Sequence, residues 1–131
     1  MGCNIHGVVE IRRKEWEHLC DMPWRRDYFF YAQVAGVRND YDVKPIAEPR
    51  GIPNDACYDT HVTYKQFMKD TGGHSASYLD AKETQSVSRG IYRTSGDVSL
   101  TPIWRAWLEF IHVLGVCYGF DNVRMVFWFD N

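Results

Sequence analysis

Two pairs of residues in this chain carry side chains that commonly bind metal ions. Cys3 and His6 lie close together, as do Cys57 and His61, so the four could form a Cys2His2 zinc site. Cys3 and His6, however, belong to a predicted strand, where an odd separation places side chains on opposite faces. A buried free cysteine also commonly behaves as a small hydrophobic residue. We therefore predict no metal site and no cofactor.

A second set of residues suits the binding of a phosphate group. Arg38 and Arg50 lie in a long irregular segment, and a guanidinium can hold phosphate through two parallel hydrogen bonds. Ser75 and Ser77 belong to GGHSAS, where a turn would offer hydroxyls and backbone amides to an anion. Tyr78 follows and could stack on a nucleobase. This pattern predicts a small polar pocket.

Each of these residues also has a simpler interpretation. Arg38 and Arg50 have acidic neighbours in the sequence and could be solvated surface residues. His6 and His74 could be structural histidines that are satisfied by hydrogen bonds. The chain has no GxSxG nucleophile elbow, so serine catalysis is not expected. We name no catalytic residue.

Composition limits the function classes. A chain of 131 residues, of which 45% are hydrophobic, suits one domain with one core, here residues 1–131. The formal charge of −2 offers no basic excess for general nucleic-acid binding. No apolar run is long enough to cross a bilayer, Asn4 and His6 interrupt any secretory signal, and the four cysteines contain no CxxC pair. We expect free thiols, no membrane partner and a cytoplasmic location.

Alternating hydrophobic residues predict the strands. Residues 3–13 alternate, and residues 16–19 can return as the second strand of a hairpin. The segment VRMVFWFDN is apolar on both faces, which is typical of a strand in the middle of a sheet. We predict that this last strand pairs with the first one.

Helical spacing and capping residues predict the helices. Asp27 is expected to cap a first helix over RDYFFYAQVAG, and residues 60–70 form a second one that two glycines end. Thr101 is expected to cap the longest helix through its hydroxyl, with Pro102 at the first position and the end at Gly115. The stripe expected in the core comprises Trp104, Trp107, Phe110 and Ile111.

The remaining segments show weaker patterns. Residues 37–60 contain three prolines and are expected to be irregular, and a loop of this length is usually functional. GGHSASYLD is extended or turn-like, and Asp80 could cap a short helical turn. We find no basis for assigning residues 81–100 beyond that turn. The fold class is α+β, a small mostly antiparallel sheet with both terminal strands central, packed by two or three helices.

Five segments carry a resemblance to a known family. They are MGCNIH, RDYFFYAQVAGVRND, PRGIPND, GGHSASYL and VRMVFWFDN. These segments resemble those of small tailed-bacteriophage proteins that open with MGCDIH and end in a similar strand. The resemblance implies a viral origin, a single domain and a shared site, without a defined chemistry.

The family pattern includes ligand types that suit a hydrolytic metal ion, namely a carboxylate and a histidine near the N-terminus and two central histidines. This chain departs from that pattern at two positions. Asn4 replaces the aspartate, and Ala76 replaces the second histidine. An amide carries no charge to neutralise a cation and a methyl group cannot ligate, so a binding role is favoured over a metal-dependent reaction.

By analogy, the sequence favours a phage counter-defence protein that sequesters a small phosphate-bearing nucleotide signal of bacterial immunity, without turnover. Two alternatives stay open: a metal-dependent phosphoester or nucleotide hydrolase, and an inhibitor that binds a host defence protein. Association into a homo-oligomer also stays open. The predicted ligand-binding residues are Asn4, His6, Arg38, Arg50, His74, Ser75, Ser77 and Tyr78.

Overall fold

A four-stranded antiparallel sheet forms the centre of the protein, in a computed structural model that describes residues 2–130 apart from the side chain of Thr71. Its strands are β1 (Asn4–Arg12), β2 (Trp16–Asp21), β3 (His74–Asp80) and β6 (Val123–Asp130), and the spatial order is β2-β1-β6-β3. A separate two-stranded ribbon comprises β4 (Gly90–Ile91) and β5 (Val98–Ser99). The α+β class and the central position of both terminal strands are confirmed.

One face of the sheet is covered by two helices, α1 (Tyr28–Ala35) and α4 (Pro102–Tyr118). The ring of Phe30 stacks on that of Trp104, with 4.1 Å between the centroids. Both side chains are buried together with alternate residues of β1 and β6. This face holds the larger core, as the apolar faces of the two predicted helices require.

Asp27 connects the starts of these two helices. Its Oδ1 accepts a hydrogen bond from the amide of Phe30, so it caps α1 as predicted, and its Oδ2 accepts one from the amide of Thr101. The predicted hydroxyl cap of α4 is wrong, because Thr101 makes no capping bond with its side chain. The carboxylate of Asp27 instead satisfies the backbone of Thr101.

Phe110 is also placed differently from the prediction. Trp104, Trp107 and Ile111 are buried as expected, whereas Phe110 is 39% exposed. Successive helical residues are about 100° apart, so the residue just before the inward-facing Ile111 turns toward the edge of the buried stripe. The spacing of the aromatic residues alone therefore could not distinguish the buried side of α4 from its exposed side.

The other face of the sheet is covered by α2 (Tyr58–Thr71), which begins two residues earlier than the sequence predicts. Tyr64 and Phe67 contact Trp128, with ring centroids 5.3 Å and 6.0 Å away. Val8 and Val126 complete this second, smaller core. Because both faces of β6 are covered, the all-apolar pattern of this strand is explained.

The connections are compact despite their irregular backbone. The segment before α2 contains no regular element, as predicted, and its Gly51 donates a backbone hydrogen bond to Ala76. Asp80 caps the short helix α3 (Ala81–Thr84) in a reciprocal capping box with Glu83, which confirms the predicted turn. Phe120–Asn122 form one 3-10 turn before β6.

All four cysteines are free thiols, as expected, and Cys3 is part of the larger core. No helix within residues 2–130 combines the length and the apolar character that crossing a membrane would require.

Candidate functional site

The eight residues predicted to bind a ligand do not form one pocket. They fall into three groups: Arg50, Ser77 and Tyr78 lie toward one end of β3, whereas Asn4 and His6 lie at the start of β1 and contact the end of β6. The third group, His74, Ser75 and Arg38, contacts the face that α1 and α4 cover.

Arg50 and Ser77 hold the irregular loop against β3. The backbone amide of Arg50 donates to the hydroxyl of Ser77, which is fully buried. The guanidinium of Arg50 binds the carboxylate of Glu83, donates 2.9 Å to the carbonyl of Tyr78 and lies over the Tyr78 ring. These contacts lower the pKa of Glu83, chiefly through the Arg50 hydrogen bond. In this structure the three predicted residues therefore connect parts of the protein.

His74 and His6 lie on opposite faces of the sheet. His74 stacks on Phe129, which points into the larger core, whereas His6 contacts Phe67 on the α2 face. Ser75 follows at a bulge in β3 with a φ of 56°, and its hydroxyl lies 2.9 Å from Nδ1 of His74. The two histidines cannot share one metal ion across the sheet.

Arg38 lies near the start of β1 but against the first face. Its guanidinium is 5.4 Å from the ring centre of Tyr28. Burial raises the pKa of the neighbouring Cys3 thiol; Arg38 and Arg26 oppose this rise, whereas Asp130 adds to it. These charged groups all lie within electrostatic range of Cys3, so both arginines and the aspartate surround this end of the sheet.

A chain of hydrogen bonds connects His6 to Arg26. Nε2 of His6 lies 2.8 Å from Oδ2 of Asp130, whose Oδ1 accepts from the side-chain amide of Asn4. The Oδ1 atom of Asn4 in turn accepts from Nε of Arg26 at 2.8 Å. The carboxylate therefore fixes the imidazole ring, and Asn4 connects that carboxylate to a cation. We call this region, Asn4, His6, Trp24, Arg26 and Asp130, the open end.

His6 opens onto a cleft of about 250 Å³ between the β1–β2 hairpin and α2. Trp24, Phe67 and Trp128 supply its aromatic walls. Gly7 also lines it, and a Cβ there would lie 2.5 Å from the carbonyl oxygen of Val126, so the backbones approach closely. The size suits one ring system rather than a larger ligand.

Two side-chain nitrogens of residues that line this cleft, one on His6 and one on Trp128, have no hydrogen-bond partner within residues 2–130. The ring of His6 makes a single hydrogen bond within residues 2–130, through Nε2, so Nδ1 remains available. The indole nitrogen of Trp128 is buried and lacks a hydrogen-bond partner in that same part of the chain. An unpaired buried donor costs stability, and an acceptor on a ligand that reached it would remove the cost.

The segment MPWRR, residues 22–26, was missed by the sequence analysis. Trp24 is 78% exposed, and Arg25 and Arg26 follow it directly. The two arginines line a second cleft of about 450 Å³ beside the start of α4. Neither arginine forms a salt bridge with a carboxylate of residues 2–130. A tryptophan followed by two arginines after a predicted hairpin was the available signal, although it has no periodicity.

The opposite end of the same face has a different character. Arg124 is buried, and it forms ion pairs with the fully buried Glu10 at 2.7 Å and with Asp55 at 3.0 Å. Its guanidinium lies 3.7 Å from the ring centre of Trp16 and 5.9 Å from that of Tyr78. We call these residues the paired end.

Glu10 also connects the paired end to the start of α2. Its Oε2 accepts from the hydroxyl of Thr60 at 2.6 Å and from the amide of Cys57 at 2.8 Å. The helix thus begins at the paired end, and Phe67, near its other terminus, contacts His6 at the open end. The helix α2 therefore contacts both the paired end and the open end.

The arrangement limits the chemistry. No three histidine, cysteine, aspartate or glutamate side chains in the described part of the chain are grouped so that they could hold a metal ion. A histidine oriented by an aspartate can accept a proton or a hydrogen bond. Surrounded by aromatic side chains, it suits the binding of a flat, polar ligand.

Comparisons with known proteins add nothing to this interpretation. No protein-family model, no curated protein and no solved structure matches the chain.

Proposed function

We propose that this protein binds a small phosphate-bearing nucleotide at the open end and releases it chemically unchanged. The base stacks in the aromatic cleft, and the phosphate binds at Arg25 and Arg26. By the resemblance to phage proteins, the proposed role is counter-defence, in which an immune signal of the bacterial host is sequestered.

The observation that carries the proposal is the exposed Trp24 beside an aromatic cleft. A tryptophan that is 78% exposed loses the benefit of burial, which a stacked base would restore. Stacking on an aromatic side chain contributes about 1–3 kcal/mol per base. His6, held by Asp130, supplies the fixed polar contact that selects a base over a purely apolar ring.

The adjacent arginines supply the charge. Arg25 and Arg26 follow Trp24 in the chain and line a second cleft at the start of α4, and in this proposal they bind the phosphate of a ligand whose base stacks on Trp24. Arg26 is oriented by Asn4, which accepts from its Nε. Guanidinium groups bind phosphate in a planar, two-point geometry, so an overall charge of −2 does not oppose local anion binding.

A second candidate is hydrolysis, which the His6–Asp130 pair favours. An imidazole fixed by a carboxylate can act as a general base toward a water molecule or a ligand hydroxyl. Thr63 and Asp21 are the other polar side chains lining this cleft, and neither is hydrogen-bonded to His6. The residues that line the cleft are therefore sufficient for binding without turnover, whereas hydrolysis would need further catalytic groups near His6.

The test is calorimetry with adenosine monophosphate, ADP-ribose and a cyclic dinucleotide as probes. We expect at least one to bind, and Trp24→Ala to weaken that binding at least tenfold. Tyr92→Ala is the matched control, because Tyr92 is also an exposed loop aromatic but lies outside the cleft. Arg26→Ala should weaken binding as strongly, whereas Arg105→Ala, a change of an exposed arginine on α4, should not.

Chromatography of the ligand after long incubation separates the two candidates. Unchanged ligand supports sequestration. Conversion of the ligand that is lost in His6→Gln, while calorimetry still detects binding, would establish hydrolysis instead. If none of the probes binds, the nucleotide proposal is wrong and the inhibitor of a host protein becomes the better hypothesis.

A further inference from the structure

The indole nitrogen of Trp128 is a buried donor that the fold leaves unused. The side chain is 1% exposed, and its Nε1 has no hydrogen-bond acceptor within residues 2–130. The two buried tryptophans of the larger core differ in this respect. Nε1 of Trp104 donates to the carbonyl of Arg25, and Nε1 of Trp107 donates to Sδ of Met125. An unsatisfied buried donor costs stability, so its presence at Trp128 requires an explanation other than the fold.

His6 lies next to this donor. It is directly opposite Trp128 in the register of β1 and β6, so the two side chains share one face of the sheet, and both line the aromatic cleft. Nε2 of His6 faces the carboxylate of Asp130, which only accepts hydrogen bonds, so the proton of the neutral imidazole lies on Nε2. Nδ1 is then an acceptor. Neighbouring residues of the cleft therefore carry one donor and one acceptor that the protein does not use.

A donor beside an acceptor matches a ligand ring that presents the opposite pair. Nucleobases have edges of this kind, either an N–H group next to a carbonyl or an amino group next to a ring nitrogen. A ring that has acceptors only would satisfy Trp128 and leave Nδ1 of His6 without a partner. Sites built to hydrogen-bond a ligand group discriminate strongly against analogues that lack it. The pair therefore distinguishes between flat rings of the same size and shape.

The helix α2 covers Trp128 and is attached most firmly at its start. Thr60, near that start, is the only buried residue on the described part of α2, and its hydroxyl donates to Glu10. Tyr64 and Phe67, which contact the Trp128 ring, are only partly buried. A segment with few buried contacts opens at a lower free energy than the whole fold. Outward movement of the end of α2 that carries Phe67 would open a path from the cleft to Nε1.

We propose that the indole N–H of Trp128 and Nδ1 of His6 together select the ligand, by binding a heteroaromatic ring on which an acceptor and a donor are adjacent. This inference rests on the proposed function and narrows its ligand to one with such an edge. Trp128 is then a specificity-determining residue, whereas Trp24 stacks on the ring whatever its edge carries. The hydrogen bond that the free protein lacks at Trp128 forms when the ligand binds.

NMR of the five tryptophan indole groups tests the contact directly. Adenosine and inosine are the probes, because each has a donor next to an acceptor and neither carries a phosphate. At about pH 8, where an ordinary imidazole is neutral, at least one of them should move the Trp128 indole proton downfield and leave that of Trp107 in place. Purine riboside, which has ring acceptors but no donor, should bind at least fivefold more weakly than the tighter probe. The proposal is wrong if neither nucleoside moves the Trp128 signal, or if purine riboside binds as tightly.

Trp128→Phe removes the donor and retains an aromatic ring. It should weaken binding of the tighter nucleoside about tenfold, measured by calorimetry. Trp107→Phe is the matched control, because it also replaces a buried indole but lies in the larger core, outside the cleft, and should leave binding unchanged. Circular dichroism confirms that both variants are folded. If Trp128→Phe does not fold, the indole shift of the wild type decides the question alone.

This contact and the proposed function can fail separately. If a nucleotide binds without moving the Trp128 signal, and Trp128→Phe binds it as tightly as the wild type does, the contact is wrong and the proposed function stands. If a nucleoside moves the Trp128 signal but adenosine monophosphate, ADP-ribose and the cyclic dinucleotide bind no more tightly than that nucleoside, the contact stands and the phosphate part of the proposed function is wrong.

Discussion

The paired end and the open end lie on the same face of the same sheet, yet they satisfy their charges in opposite ways. At the paired end, Arg124 contacts two carboxylates and two aromatic rings, and Glu10 receives further hydrogen bonds. At the open end, Trp24 and Arg26 extend into solvent beside a cleft. The two ends carry similar charged and aromatic residues, but those of the paired end bind one another, whereas Trp24 and Arg26 of the open end face solvent.

This difference separates stability from binding. The buried ion pair of Arg124 and Glu10 contributes to fold integrity because breaking it leaves an isolated buried charge. An exposed tryptophan beside an arginine that contacts no carboxylate contributes little to folding and remains available to a ligand. Substitutions at the two ends should therefore affect different measurements.

The largest effect is expected from Arg124→Ala. This change leaves Glu10 fully buried without its cation, and we expect the free energy of unfolding to fall by about 3–5 kcal/mol. Urea denaturation followed by circular dichroism measures it. The control Glu10→Gln/Arg124→Met removes both charges and should recover much of the loss. A loss of only about 1 kcal/mol, typical of an exposed pair, would contradict the contrast between the ends.

Trp16→Ala should have the next largest effect on stability. The ring of Trp16 contacts the guanidinium groups of Arg12 and Arg124, and its indole nitrogen donates to Asp55. We expect a loss of about 1–2 kcal/mol from the cation–π contacts, measured by the same denaturation. Trp16→Phe keeps the aromatic face and should retain part of this stability; equal losses in both variants would argue against the stacking.

Glu83→Gln should change how stability depends on pH. Arg50 lowers the pKa of Glu83 below its ordinary value of 4.5, so the folded state binds fewer protons there than the unfolded state. The contribution of Glu83 is therefore present above pH 4.5 and is lost as pH falls through the lower, folded value.

We expect the variant to lose about 1 kcal/mol at neutral pH, as a partly exposed pair would, and to lose less stability on acidification than the wild type. Thermal unfolding between neutral pH and about pH 3 measures both quantities. Asp97→Asn, a change at an exposed loop carboxylate, is the control. If the stability of the wild type and of Glu83→Gln depended on pH in the same way, Glu83 would make no such contribution.

The smallest effect on stability is expected from Trp24→Ala. Because the side chain is largely exposed, the free energy of unfolding should change by no more than about 0.5 kcal/mol. The same variant should lose ligand binding, as described above. A substantial loss of stability would mean that Trp24 serves the fold and that the two ends are more alike than their contacts indicate.

The fold could be predicted where the hydrophobic pattern is long. VRMVFWFDN is apolar at every position up to Phe129 apart from Arg124, and a strand of this type has to be covered on both faces. Its pairing with β1 followed from that and is confirmed. The ribbon of β4 and β5 could not be predicted, because two strands of two residues each leave no periodic signal.

The candidate site could be predicted only in part. Alternation along β1 placed His6 and Asn4 on one face, and the pairing of the last strand with β1 was predicted. The register of that pairing was not, and it is the register that brings Asp130 beside Asn4 and His6. The segment with His74 was grouped with His6 by resemblance, and the bulge at Ser75 and the pairing with Phe129 place it elsewhere. Trp24 was missed because exposure is a tertiary property.

The pairing of β1 with β6 also has a kinetic consequence. Joining residues 126 positions apart costs about 4 kcal/mol of chain entropy, by the logarithmic dependence on loop length. The β1–β2 hairpin and α4 can form locally and fast, but each lacks a core until the last strand inserts between β1 and β3. Folding should therefore be a single slow step in which both terminal strands arrive together. The open end requires both of these strands, because His6 lies on β1 and its partner Asp130 on β6, so we expect ligand binding there only after this step.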